Sequence, residues 1–212
     1  MLTLGVDVAR RGWVAIALRD GRFEDSAWEE RFQTLLERFA EAVVVGVDVP
    51  IGLPGLGERR RADLEARAVV GPRRSSVFFT PPRAALETAT YAEARAIAPA
   101  TSAQAWALKT AILEIDGTSD RRVREVHPEV SFAVLAGGPL AASKRTWNGQ
   151  HRRHELLTDA GIRIPEHLDA GLVPADDVLD AAVVAWTATR IARGEHVTLP
   201  GDAGPAEPVI AA

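Results

Sequence analysis

Four aspartates stand where a carboxylate is costly. Asp177 and Asp180 lie in the run VPADDVLDAAVVAWTA (173–188), whose apolar spacing is helical and puts these two acids one turn apart on one face. Asp7 falls at the end of the strand-like Leu2-Thr3-Leu4-Gly5-Val6-Asp7, and Asp48 closes the apolar run Val43-Val44-Val45-Gly46-Val47. Burial disfavours the charged carboxylate unless a cation or hydrogen-bond donors compensate. A divalent ion is one such compensation. Mg²⁺ takes hard oxygen ligands, only a few of them from protein, and leaves the other positions to water and phosphate. Two such ions about 4 Å apart support an in-line phosphoryl displacement. In that arrangement Asp7 bridges the metals from a rigid central strand, Asp48 comes from a neighbouring strand, and Asp180 from a helix over the sheet. Asp177 serves as a ligand or as a partner to one. Taken singly, Asp7 and Asp48 read equally well as Asx-turn residues before Arg10-Arg11-Gly12 and Pro50. As a set beside buried sequence, the acids favour a site.

Further candidates follow in Glu125-Val126-His127-Pro128-Glu129. His127 is a proton shuttle for neutral pH or a core hydrogen-bonding group. Glu129 is a candidate acid or base, or an acid placed at a helix start by the dipole. Glu125 shares a strand face with His127 and is the weaker candidate. The loop Lys144-Arg145-Thr146-Trp147-Asn148-Gly149 can bind phosphate or stand as an exposed polar turn. His151 and His154 are spaced i, i+3, but without accompanying carboxylates they do not make a zinc site.

These residues need a scaffold, and the chain supplies the pattern of one. Strands are expected over 2–8, 13–18 and 22–28, with Asp20-Gly21 as a hairpin turn. A helix over 29–42 carries Phe32, Leu35, Leu36 and Phe39, and Val43–Asp48 reads as a buried parallel strand. Helices are expected over 58–70, 91–98, 102–115, 149–160 and 175–193, a short one through Phe132 and Leu135, and a strand over 122–127. Asp176 is the expected N-cap of the last helix. Strand, hairpin, helix and buried strand in that order make a mixed α/β sheet with helical crossovers. Residues 1–200 read as one domain, and the Gly/Pro/Ala-rich residues 201–212 as a flexible tail.

Bulk properties bound the function. The 212 residues are 47% hydrophobic and 25% charged, an ordinary globular composition. The absence of cysteine removes disulfides, thiolate metal sites and cysteine nucleophiles. No run is long enough for a membrane span, and the chain opens directly on a strand pattern, so a cytoplasmic protein is expected. A net charge of −4 argues against a broad non-specific nucleic-acid surface. Basic runs at Arg59-Arg60-Arg61, Arg73-Arg74, Arg121-Arg122-Arg124, Lys144-Arg145 and Arg152-Arg153 read mostly as solvated helix faces.

Gly5-Val6-Asp7 with Gly12-Trp13, Val47-Asp48-Val49-Pro50-Ile51-Gly52-Leu53, Glu125-Val126-His127-Pro128-Glu129 and Asp176-Asp177-Val178-Leu179-Asp180-Ala181 together resemble, in that order, the domain-of-unknown-function 429 family. That family is described as predicted nucleases of the RNase H-like fold. The resemblance runs from about residue 2 to about residue 195. The Asp177-x-x-Asp180-Ala181 helix also resembles the closing helix of Holliday-junction resolvases. The resemblance implies an RNase H-like mixed five-stranded sheet in the order 3-2-1-4-5, flanked by helices. It further implies a Mg²⁺- or Mn²⁺-dependent phosphodiester hydrolase acting on DNA or RNA through Asp7, Asp48 and Asp180 or Asp177. Two other readings share the fold. One is a phosphoesterase or ATP-using enzyme of the actin and sugar-kinase type, although the chain holds one copy of the fold and no glycine-rich phosphate loop. The other is a non-enzymatic binding protein whose acids are structural.

Overall fold

A computed structural model describes all 212 residues. Alternating residues build its centre. Strand β1 (Leu2–Ala9) pairs antiparallel with β2 (Gly12–Arg19), which pairs antiparallel with β3 (Arg22–Glu29). Asp20 and Gly21 both have positive φ, +53° and +83°, so the expected hairpin turn has the twist that matches its strands. Helix α1 (Phe32–Arg38) leads into β4 (Val44–Val47), parallel to β1. Helices α2 (Arg61–Val69), α3 (Arg83–Leu86), α4 (Tyr91–Ile97), α5 (Ala103–Ala107) and α6 (Lys109–Asp116) precede β5 (Val123–Glu125), parallel to β4. A 3₁₀ turn (Gly71–Ser76) follows α2. Helices α7 (Pro128–Ala136), α8 (Trp147–Asp159) and α9 (Ala175–Arg193) come next, and strands β6 (Thr198–Leu199) and β7 (Ile210–Ala211) close the chain. The five-stranded mixed sheet has the order β3-β2-β1-β4-β5, the order expected.

Period-two alternation divides the core between the two faces of the sheet. Leu4, Val6, Trp13 and Ala15 pack with Phe32, Leu35, Ile112 and Ile115 of α1 and α6. Val14, Ile16 and Leu18 pack on the other face with Phe132, Leu157, Ala181 and Val183 of α7, α8 and α9. On this second face the sheet offers Thr3, Gly5 and Gly46, and their small size lets α9 lie against the backbone. A methyl group on Gly5 would sit 2.1 Å from the Ala185 nitrogen and 2.2 Å from the Ala181 oxygen. Gly5→Ala is therefore expected to cost about 3 kcal/mol or more, because the helix backbone itself must retreat. Chemical denaturation measures this, and a loss below about 1 kcal/mol would contradict the packing.

The structure redraws several boundaries. The first helix is shorter than 29–42 because Phe39 leaves helical geometry, and Arg122 takes up the loop carbonyls of Phe39, Ala40 and Ala42 at 3.3, 2.9 and 3.3 Å. The helix expected over 102–115 is broken at Leu108, and nothing in its sequence marks the break. Pro174 occupies the N-cap position of α9 with no side-chain cap, and Asp176, expected there, falls in the first turn and acts only on the dipole. Residues 201–212 are not a loose tail. Ile210 and Ala211 pair with Leu199 and Thr198, Ala211 bridges Val126, and Ile210 inserts among Ala62, Ala66, Val70 and Val77. That apolar pocket holds what the Gly/Pro/Ala composition seemed to release.

Candidate functional site

The C-terminal ends of β1 and β4 meet the N-terminal end of α9, which runs antiparallel to them. Three contacts set the register. The Thr3 and Thr189 hydroxyls share a hydrogen bond of 2.7 Å, Gly5 faces Ala181 and Ala185, and Gly46 faces Val184. Two residues along a strand advance about 6.6 Å, which a helix covers in four to five residues. Asp7 and Asp48, each two residues beyond a glycine, therefore come level with Asp177 and Asp180. The Asp48 amide donates to the Val6 carbonyl at 3.0 Å, which sets Asp7 and Asp48 side by side. Carboxyl ends of parallel strands are where open α/β sheets build their sites.

The electrostatics match this convergence. Burial raises the Asp7 carboxyl well above the ordinary range, and the charges of Asp48 and Asp180 push it the same way. Its own main chain gives it one donor, the Val8 amide, at 2.7 Å. Burial lifts Asp48 to about 7 and Asp180 to about 6, in both cases against the attraction of Lys144. Asp177 is raised to about 6 by burial and by Asp176. The ammonium of Lys144 binds the Asp180 carboxylate directly. Burial works against this cation, but the fields of Asp180 and Asp7 outweigh it and hold it above the ordinary lysine value. One oxygen of Asp180, Oδ1, is buried and has no hydrogen-bond partner.

These acids adjoin a cavity of about 330 Å³ whose lining includes Asp48, Asp180, His127 and Glu129. Arg73, Ser75, Ser76, Lys144 and Arg145 line it too. His127 presents a buried Nδ1 without a partner, and burial holds its imidazole below the ordinary histidine value, so it is neutral at pH 7. Glu129 is engaged by the fully buried Arg153 at 2.8 and 2.9 Å and lies 3.4 Å from Arg73. That bonding makes it a charged wall fixed in place rather than a free acid or base. Glu125 accepts from Arg60 at 2.7 Å and from the Ile51 amide at 2.7 Å, which ties the Pro50–Gly52 loop to the sheet.

The structure thus brings Asp7, Asp48, Asp177 and Asp180 to one end of the sheet, with His127 and Glu129 on the adjoining cavity. Glu125 lines the same cavity, but its carboxylate is taken up by Arg60 and the Ile51 amide, which gives it a structural task. His151 faces Glu155 on the exposed side of α8 and meets no metal-ligand set. The basic runs are less solvated than their composition suggests. Arg60 is 5% exposed and Arg153 is fully enclosed. Arg153 was legible in one respect, because helical spacing from Gly149, Leu156 and Leu157 puts it on the buried face of α8. Lys144 also departs from expectation: its charge is spent on the acids and is not free for a phosphate backbone.

No three histidine, aspartate or glutamate groups close into a ready ligand shell. The donors nevertheless fit a hard divalent cation. They are carboxylate oxygens, they repel one another, and Asp180 keeps an unsatisfied buried oxygen where Lys144 is the only local counter-cation.

A family model for a protein of unknown function (DUF429) matches residues 5–204. The chain belongs to the DUF429 family. The matched span contains every acid of the cluster and all nine α-helices of this DUF429 chain. No curated protein and no solved structure matches it. No helix is long and apolar enough to cross a membrane.

Proposed function

We propose that the chain is a divalent-metal-dependent phosphodiester hydrolase acting on nucleic acid. The observation that carries this reading is the gathering of Asp7, Asp48, Asp180 and Asp177 at one sheet end, with carboxyls all displaced toward the neutral form. Asp7, Asp48 and Asp180 would hold Mg²⁺ or Mn²⁺, with Asp177 beside them. When bound, the cation supplies charge neutralisation and a water acidic enough to react near neutral pH.

The chain's own groups then have defined tasks. Neutral His127 has an unprotonated ring nitrogen that accepts a proton at the cavity wall. Arg73 and Arg145 hold phosphate oxygens, Arg73 from the Glu129 side and Arg145 from the rim. The Glu129–Arg153 pair keeps that wall rigid. Lys144 neutralises the acids before a cation arrives.

A panel of single-stranded and structured DNA and RNA, titrated with Mg²⁺ and Mn²⁺, tests the reading. Metal-dependent cleavage is expected, reduced at least about 100-fold in Asp180→Asn with the fold intact. Protein that binds neither metal and cleaves none of the substrates would overturn it. That result would favour a second reading supported by the Lys144–Asp180 pair, a binding protein whose acids are neutralised internally.

A further inference from the structure

The acid cluster leaves one feature of the neighbouring segment unused. Trp147, the first residue of α8, is 78% exposed on a helix that is otherwise polar on its outer side. Its indole is held flat. The His151 ring, one turn on, stacks beneath it with centroids 5.8 Å apart and planes 9° from parallel. His151 Nε2 is in turn 3.3 Å from Glu155, a further turn along. Three residues on one stripe thus pre-orient an aromatic face that nothing in the fold covers. Two residues before it, Arg145 lines the cavity, and its guanidinium enters no ion pair and no hydrogen bond. Over four residues the chain passes from a cation set on the acids, Lys144, to a free cation, Arg145, to an open aromatic plane, Trp147.

We infer that Trp147 and Arg145 form a subsite for single-stranded nucleic acid, with an unpaired base stacked on Trp147 and its phosphate directed by Arg145 to the cavity. The inference rests on the nucleic-acid reading above and narrows its substrate class. An aromatic platform beside a cation takes the π-face of any unpaired base and the backbone next to it. A duplex hides those faces. The cavity of about 330 Å³ is at the lower end of small-ligand pockets and suits one nucleotide rather than a double helix. The net charge of −4 offers no broad field for duplex binding. A protein partner fits less well, because the outer side of α8 beyond the tryptophan carries the exposed charges of Arg152 and Glu155.

Equilibrium binding of a labelled twelve-nucleotide single strand and of its duplex, measured in EDTA, tests the subsite without cleavage. The single strand should bind more tightly than the duplex. Trp147→Ala should weaken it at least about fivefold, the lower range of a lost base stack, and Trp147→Phe should restore most of the loss. Arg145→Ala should weaken binding and flatten its salt dependence by about one phosphate contact. Trp147 is largely exposed, so unchanged thermal unfolding of Trp147→Ala excludes a folding artefact. Single-strand binding that ignores Trp147, or a duplex bound equally well, would overturn the subsite even if metal-dependent cleavage is found. Trp147-dependent binding without cleavage under any metal would support the subsite and overturn the hydrolase. A Trp147-dependent change in oligomeric state with no nucleic-acid binding would replace the subsite with a protein interface.

Discussion

Asp7→Asn should make the metal-free protein more stable and the metal-loaded protein inactive. Asp7 is 6% exposed, and burial together with the neighbouring acids raises its carboxyl well above the ordinary value. A carboxyl whose folded pKa is raised stabilises the fold fully below its unfolded value, near 3.9, and loses that contribution as pH climbs toward the folded value. Asp48, at about 7, and Asp180 and Asp177, at about 6, act in the same direction. Wild-type protein without metal should therefore lose stability steadily from about pH 4 to about pH 7. Asparagine keeps the oxygen that accepts from the Val8 amide but cannot ionise in the unfolded chain. The gain should be present at pH 7.5 as a higher Tm and should vanish near pH 4. Saturating Mg²⁺ or Mn²⁺ should stabilise the wild type, by about 2.7 kcal/mol at a hundred times Kd, and leave Asp7→Asn nearly unmoved. Thermal melts across pH and metal concentration decide it. A variant destabilised at neutral pH would show that Asp7 has a structural role, and the metal site would lose its central ligand.

Arg153→Met should have the opposite signature, a large loss of stability. The guanidinium is wholly enclosed, donates twice to Glu129, reaches the carbonyls of Ala142 and Gly149 at 3.2 and 3.0 Å, and lies over the Phe132 ring. Removing it strands a buried carboxylate whose remaining cation, Arg73, is 3.4 Å away, along with two carbonyls. Breaking one side of such a pair costs about 3–5 kcal/mol, or on the order of 10 °C in a chain of this size. Removing both charges, in Arg153→Met with Glu129→Leu, should recover much of the loss, since an apolar replacement of similar volume avoids the uncompensated charge. A single variant melting within 2 °C of wild type would mean that water reaches the pair and that Glu129 is free to act in chemistry.

The contrast between these residues explains what the sequence could reveal. Strand alternation and the Asp20-Gly21 turn are local signals, so the hairpin and sheet order were legible from the first fifty residues and the family resemblance. The acids could be singled out because a charge within an apolar run is conspicuous wherever the chain goes. Partners could not be read in the same way. Lys144 meets Asp180 across 36 residues, and Arg60 meets Glu125 across 65, distances at which no periodicity pairs them. An arginine in a basic run looks alike whether solvated, as Arg59 and Arg61 are, or buried, as Arg60 is between them. Tail order failed for a related reason: Ile210 is held by residues remote in sequence, from the 62–77 stretch and Val130, and the turns before it have only the composition of disorder.

The close seating of α9 on Gly5 and Gly46 has a mechanical consequence. At Gly5 helix backbone meets strand backbone with no side chain between, and at Gly46 only the short Val184 side chain intervenes. The helix therefore cannot slide or tilt without breaking the sheet contact. The three strongest acid positions thus belong to a stationary jaw. The opposing wall, from the 3₁₀ turn at 71–76 and the loop at 138–146, is held chiefly through side chains: Arg73 reaches Glu129, and Arg153 donates to the Ala142 carbonyl. If the proposed reading holds, substitutions in that side-chain-held wall would change what enters while leaving the carboxylates where they are.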